Sequence, residues 1–219
     1  MITATSNYYN VVSQMPEGEV RVFHHVTWDE YEELLEEVGE AHGLRISYND
    51  GTLKVMSLSP EHEQYVSFIN SLVTHIRLRF RMNIRFFGSA TMRKKKKSKG
   101  NEPDACFYVQ TAAALGKRIK LDFTVDPPPD VVVEVDIHHD STDNYPIYAA
   151  LGVPEIWRYD GFETTIYHLQ ENNYVEAAAS NALTMITSAI LTEYLTRVRE
   201  EGEFAAIIAF DEWLQSLQH

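Results

Sequence analysis

Apolar residues recur at helical spacing in VTWDEYEELLEEV, where Trp28, Tyr31, Leu34, Leu35 and Val38 share one face. Thr27 precedes that face and Glu30 follows three residues later, which is the arrangement of a capping box. The period then falls to two. Leu44, Ile46 and Tyr48 alternate with polar residues before Asp50-Gly51, and Leu53 and Val55 do so after it. That pattern predicts a hairpin closed by a type I′ turn, which needs positive φ at both central positions. Ser59-Pro60 opens the next helix, with the serine as cap and the proline at the first helical position. Its stripe of Tyr65, Phe68, Ile69, Leu72, Ile76 and Phe80 carries it to about Arg81, roughly 30 Å at 1.5 Å per residue.

Shorter segments follow. NIRFFGSATMR reads as a strand, KKKKSKGN as a loop, EPDACFYV as a short strand, TAAALGKR as a helical turn or loop, and IKLDFTV as an extended segment. Pro127, Pro128 and Pro129 make a stiff connection, because each locks φ and lacks an N–H donor. The near-continuous valines of DVVVEVDI predict a central strand buried on both faces. STDNYPIYAALGV is a short helix stopped by Gly152, and EIWRYD is another strand. ETTIYHLQENNYVEAAA is a second hairpin, turning at Asn172-Asn173, and two helices separated near Gly202 run from about Thr187 to Gln218. Residues 1–20 lack a strong period and read as a loosely held arm. The order predicts a mixed α/β (α+β) fold with one main sheet, built as a single domain over 21–219.

Composition refines this picture in three places. With 219 residues, 44% of them hydrophobic, the chain can bury a core. No apolar run reaches the ~18 residues of a membrane span, and MITATSNYYN lacks the basic region and apolar stretch of a secretory signal. A single cysteine, Cys106, forbids an intrachain disulfide and points to a reducing cytoplasm. It sits in the apolar stretch ACFYV without a Cys–His constellation, which favours packing over nucleophilic chemistry.

The net charge of −13 argues against a nucleic-acid partner, because phosphate binding is driven by Lys and Arg. The distribution alters that reading. Gln64 to Asn101 contains no acidic residue, yet holds Arg77, Arg79, Arg81, Arg85, Arg93, Lys94, Lys95, Lys96, Lys97 and Lys99, ten of the 19 basic residues. Such segregation predicts either one positive surface on an acidic protein or a solvated loop beside an ordinary helix face.

Three acidic residues interrupt apolar strands: Asp104 in EPDACFYV, and Glu134 and Asp136 in VVVEVDI. A charge buried in a strand is costly unless it is paired or binds a metal. Glu134 and Asp136, two apart, face the same side, with the Val135 carbonyl between them. If the two strands are neighbours, Asp104, Glu134 and Val135 form an oxygen-only ligand set suited to Mg²⁺ or Mn²⁺. The alternative is that the acids cap strand ends or face solvent. His138 and His139 are adjacent and would point to opposite faces of a strand, so a loop accounts for them. His62, between Glu61 and Glu63, reads as a surface residue or cap partner, on a helix that could turn a carboxylate toward the sheet. There is neither a P-loop nor a GxSxG elbow.

At VTWDEYEELL, ISYNDGTLKVMSLSPEHE, EPDACFYV, PPPDVVVEVDI and YAALGVPEIWRYDG, taken in that order, the chain resembles a large bacterial family of restriction-endonuclease-like proteins. This is the Uma-two family of the PD-(D/E)XK nuclease superfamily. The resemblance spans roughly residues 25–160, with a core over about 59–160 and an extension over about 161–219. It implies a restriction endonuclease-like fold and a divalent-metal-dependent endonuclease acting on DNA. Asp104 matches the second-strand Asp and Glu134 the third-strand Glu, with Asp136 or Glu61 assisting and Glu63 a weaker match than Glu61. The family's lysine positions are occupied by Asp136 and Asn144. The resemblance therefore leaves the lysine's role to Lys120 or to a member of the 94–97 run. The basic residues Arg93, Lys94, Lys95, Lys96, Lys97 and Lys99 would take the phosphate backbone. The competing reading is a catalytically degenerate nuclease-fold protein acting as a nucleic-acid-binding or regulatory module. Superfamily enzymes often dimerise, and Ile207, Ile208, Phe210, Trp213 and Leu214 offer either a homodimer interface or a cover for the core.

Overall fold

The computed structural model describes residues 6–39 and 43–218. In chain order its elements are α1 (Ser6–Val12), β1 (Val20–Phe23), α2 (Trp28–Val38), β2 (Leu44–Asn49), β3 (Thr52–Ser57), α3 (Pro60–Arg79), β4 (Arg85–Gly88), β5 (Met92–Lys94), β6 (Lys99–Asn101) and β7 (Ala105–Tyr108). There follow β8 (Val131–Val135), α4 (Tyr145–Leu151), β9 (Glu155–Tyr159), β10 (Thr164–Gln170), β11 (Asn173–Ala177), α5 (Ser188–Glu201) and α6 (Glu203–Ser216). The fold is mixed α+β, but it has two sheets where one main sheet was expected. A six-stranded sheet runs β11-β10-β9-β8-β7-β4 and a five-stranded sheet runs β1-β3-β2-β6-β5.

The second sheet is built on the β2–β3 hairpin, flanked by β1 and β6, and NIRFFGSATMR, expected to be one strand, is two that join different sheets. β4 pairs with β7 in the large sheet, while β5 pairs with β6 in the small one. The chain changes sheet after Gly88, whose φ of 57° an L-residue rarely adopts. The lysine run, read as a loop, is the tip of the β5–β6 hairpin. IKLDFTV is not extended. Asp122 accepts the Thr124 N–H at 2.9 Å and folds the segment into turns. The second hairpin pairs Gln170 with Asn173, so its turn residues are Glu171 and Asn172, one position earlier than expected. Within the stretch read as a loose arm, α1 packs against α2 with Val12 buried, and β1 pairs with β3.

Local chemistry accounts for the elements that frame the cleft. Thr27 and Glu30 make the capping box of α2, and Ser59 caps α3 through the His62 N–H with Pro60 in the first turn. Asp50 and Gly51, at φ 46° and 89°, close the β2–β3 hairpin. Strand alternation then divides the small sheet. Ile46, Tyr48, Leu53 and Val55 pack with Trp28, Tyr31 and Leu34 of α2, while Arg45, Ser47, Lys54 and Met56 turn the other way. In the large sheet, Ala105, Phe107, Val131, Val133 and Val135 face α3, α5 and α6. Cys106 and Val132 face α4. β8 is buried on both sides, as its valines require. The C-terminal helices cover this core, with Ala206, Phe210 and Leu214 buried, and Arg79 of α3 pairs with Asp211 of α6. Ile208 points outward, 46% exposed. Among the described residues, no helix is long and apolar enough to cross a membrane.

Candidate functional site

The antiparallel register of β7 and β8 pairs Ala105 with Val133, so one step further Asp104 stands opposite Glu134. Opposite residues in an antiparallel pair share a face, and the two acids meet because the strands are neighbours. The Asp104 N–H donates to the Val133 carbonyl at 3.2 Å, and the Val135 N–H donates to Asp104 Oδ2 at 2.8 Å. Asp104, Glu134 and Asp136 are all buried.

Two basic side chains approach Asp104. His62 Nε2 lies 2.9 Å from Oδ2, and Arg45 Nε lies 3.3 Å from Oδ1. Both are ion-pair contacts without hydrogen-bond alignment, and Asp104 Oδ1 is left as a buried oxygen with no hydrogen-bond partner. Glu63 lies 3.6 Å from Arg45 and 3.4 Å from His62. Burial lowers the His62 pKa, but its contact with Asp104 outweighs that and holds it above the usual histidine value. Glu134 accepts from the Tyr148 hydroxyl, which in turn accepts from the Asn101 amide. Burial, and then the charges of Asp104 and Asp136, push the Glu134 carboxyl well above the usual carboxylate range, against the opposing pull of Tyr148 and Asn144. Asp136 is also raised, by burial, although Ser141 and Arg158 hold it. Its Oδ2 receives the Ser141 N–H at 3.0 Å and Arg158 Nε at 2.5 Å.

Glu134 and Asp136 open onto a small cleft, about 30 Å³ in volume, between the two sheets. Its other wall is the polar face of the small sheet, with Arg45, Ser47, Lys54 and Met56, and Asn101 and Asn144 also line it. Among the described residues, no three His, Cys, Asp or Glu side chains assemble as a metal centre. The donor chemistry nevertheless fits a hard cation. There is an oxygen without a hydrogen bond, and beside it a second carboxylate whose pKa is raised by burial and then by its acidic neighbours.

The remaining expected residues fall elsewhere. Glu61 is exposed and lies 3.9 Å from His138, away from the cleft. The α3 residue that reaches Asp104 is His62. Lys120 is exposed and does not line the cleft. The basic run is largely committed. Arg93 faces Glu32 at 3.6 Å, Lys95 meets Asp29 at 2.8 Å, and Lys99 meets Asp50 at 2.6 Å. Lys94 and Lys97 reach carbonyls of α4, while Lys96 is exposed. Arg45 and Lys54 were not singled out from the sequence, and His62, expected to be a surface residue or cap partner, is buried instead. The alternation around Asp50-Gly51, which puts Arg45 and Lys54 on the face opposite the α2 core, was the signal available for those two.

Among curated proteins none matches the chain. A crystal structure from Anabaena variabilis, described as "a putative nuclease belonging to DUF820", is 15% identical with a TM-score of 0.50, over 78% of this chain and 99% of that one. That likeness shows a shared fold. Residues 28–197 match the family Uma2, described as "Putative restriction endonuclease", and with that match spanning most of its length the chain belongs to the Uma2 family.

Proposed function

We propose that the protein is a divalent-metal-dependent endonuclease that hydrolyses phosphodiester bonds in DNA at the cleft between its two sheets. The observation that carries this reading is the pairing of Asp104 and Glu134, two buried carboxylates side by side with one oxygen lacking a hydrogen bond. Burying like charges together is costly unless a cation or proton offsets it. Asp104, Glu134 and the Val135 carbonyl would hold Mg²⁺ or Mn²⁺. Such an ion supplies Lewis acidity toward a phosphoryl oxygen and makes water a better nucleophile. Restriction endonuclease-like proteins generally use divalent cations, and the Uma2 membership supports a nucleic-acid substrate.

The chain's own groups position the site. Tyr148 and Asn144 orient Glu134, and the Val135 N–H and His62 fix Asp104. Arg158 and Ser141 hold Asp136 at the wall of the cleft. In the net reaction water bonds to phosphorus, the phosphorus–oxygen bond to one sugar breaks, and a proton from the water ends on the departing oxygen. Nuclease assays of the wild type with Mg²⁺ or Mn²⁺, beside Asp104→Ala, test the reading, which requires cleavage by the first and none by the second.

A second reading is favoured by Arg45. Its guanidinium already lies beside Asp104, where a cation would bind, as expected of a nuclease fold that binds nucleic acid without cutting it. This reading predicts no cleavage by the wild type under any divalent ion.

A further inference from the structure

We propose that Lys54, on the β2–β3 hairpin, contacts the scissile phosphate and supplies the positive charge that neither Asp136 nor Asn144 can provide. The inference rests on the nuclease reading of the cleft and assigns a residue within it. Asp136 is an anion, held at Oδ2 by Arg158 and Ser141. Asn144 is a neutral amide and carries no charge. The two basic side chains on the opposite wall are Arg45 and Lys54. Arg45 is committed to Asp104 and Glu63. Lys54 makes no ion pair within 4 Å among the described residues, and its Nζ donates to the Asp140 backbone carbonyl at 3.2 Å.

The placement of Lys54 follows from the fold. It pairs with Ser47 on β2 and Val22 on β1, at the middle of three hydrogen-bonded strands. Its neighbours along the strand, Leu53 and Val55, are locked into the α2 core, so its stem must face the cleft. An ammonium on a flexible four-carbon stem suits a site where it can leave a carbonyl for a phosphoryl oxygen. There it would stabilise the charge that accumulates as water adds to phosphorus. The hairpin thus becomes part of the active site, with the small sheet supplying the cation and the large sheet the carboxylates.

The test compares wild type, Lys54→Met and Lys54→Arg in two measurements, with thermal melts as a fold control. The first is plasmid cleavage with Mg²⁺ or Mn²⁺. The second is binding of a DNA duplex in EDTA at several salt concentrations. Losing one phosphate contact lowers the slope of log affinity against log salt by about one. Support requires Lys54→Met to lose about 100-fold in cleavage and about one unit of slope, with Lys54→Arg keeping the slope. Cleavage and slope both unchanged in Lys54→Met overturn the proposal while leaving the nuclease reading intact. If the wild type binds DNA yet cuts under no divalent ion, the nuclease reading falls, and the slope alone decides whether Lys54 contacts phosphate. A wild type that neither cuts nor binds overturns both.

Discussion

Glu134→Gln should make the protein more stable while removing its activity. The glutamine is nearly isosteric and keeps a carbonyl oxygen to accept from Tyr148. It discards a charge that burial, Asp104 and Asp136 all oppose. The folded-state pKa is raised, so the folded protein binds a proton more readily than the unfolded chain. Stability is then fully present below the unfolded value and lost as pH rises through the folded one. At neutral pH the wild type bears that loss and the variant does not. Each unit of raised pKa is worth about 1.4 kcal/mol, or about 3–5 °C in a domain of this size. The variant should therefore melt higher than wild type at pH 7, and the gap should close as pH falls toward the ordinary glutamate range. Mg²⁺ at about 100 times its Kd should stabilise the wild type by about 2.7 kcal/mol and the variant far less. Melting curves from pH 4 to 8, with and without Mg²⁺, measure all of this. A variant that melts lower than wild type at pH 7, or a gap that widens at low pH, would refute the reasoning.

Other expectations follow from particular contacts. Arg158→Met strips Asp136 of its guanidinium partner, leaves a buried carboxylate uncompensated, and should cost about 2–4 kcal/mol in urea unfolding. Gly100→Ala drives a methyl group into the fully buried Tyr31 ring, at 2.8 Å from its Cζ, and should cost about 1–3 kcal/mol by overpacking. The Cys106 thiol is fully buried and pushed up to about 12, so it should resist iodoacetamide in the folded protein and react at once in denaturant.

Much of this molecule was legible in its sequence wherever a local signal and its tertiary role coincide. The capping box at Thr27, the Asp50-Gly51 turn, the Ser59-Pro60 helix start and the valine strand of β8 are each dictated by a few adjacent residues. The break inside NIRFFGSATMR was not legible, because its two strands look alike locally and differ only in the sheet each joins. The basic run misled for a related reason. Its charge is visible in sequence, but the partners Asp29, Glu32 and Asp50 come from distant segments. At the site, Asp104 and Glu134 stood out because charge is conspicuous in an apolar strand. His62 did not, because a histidine between two glutamates at a helix start resembles a solvated one until α3 is laid across the end of β7. Lys54 was hidden in an ordinary alternating strand, and only the packing of Leu53 and Val55 against α2 shows which way it faces.

The central claim is that Asp104 and Glu134 together hold a catalytic cation. It is tested most directly by titrating Mn²⁺ into the wild type and into the Asp104→Ala/Glu134→Ala double variant, with plasmid cleavage followed in the same samples. The account predicts that the wild type binds the ion and cuts, and that the folded double variant does neither. A wild type that binds no Mn²⁺ and leaves the plasmid intact, or a double variant that still cuts, would contradict it.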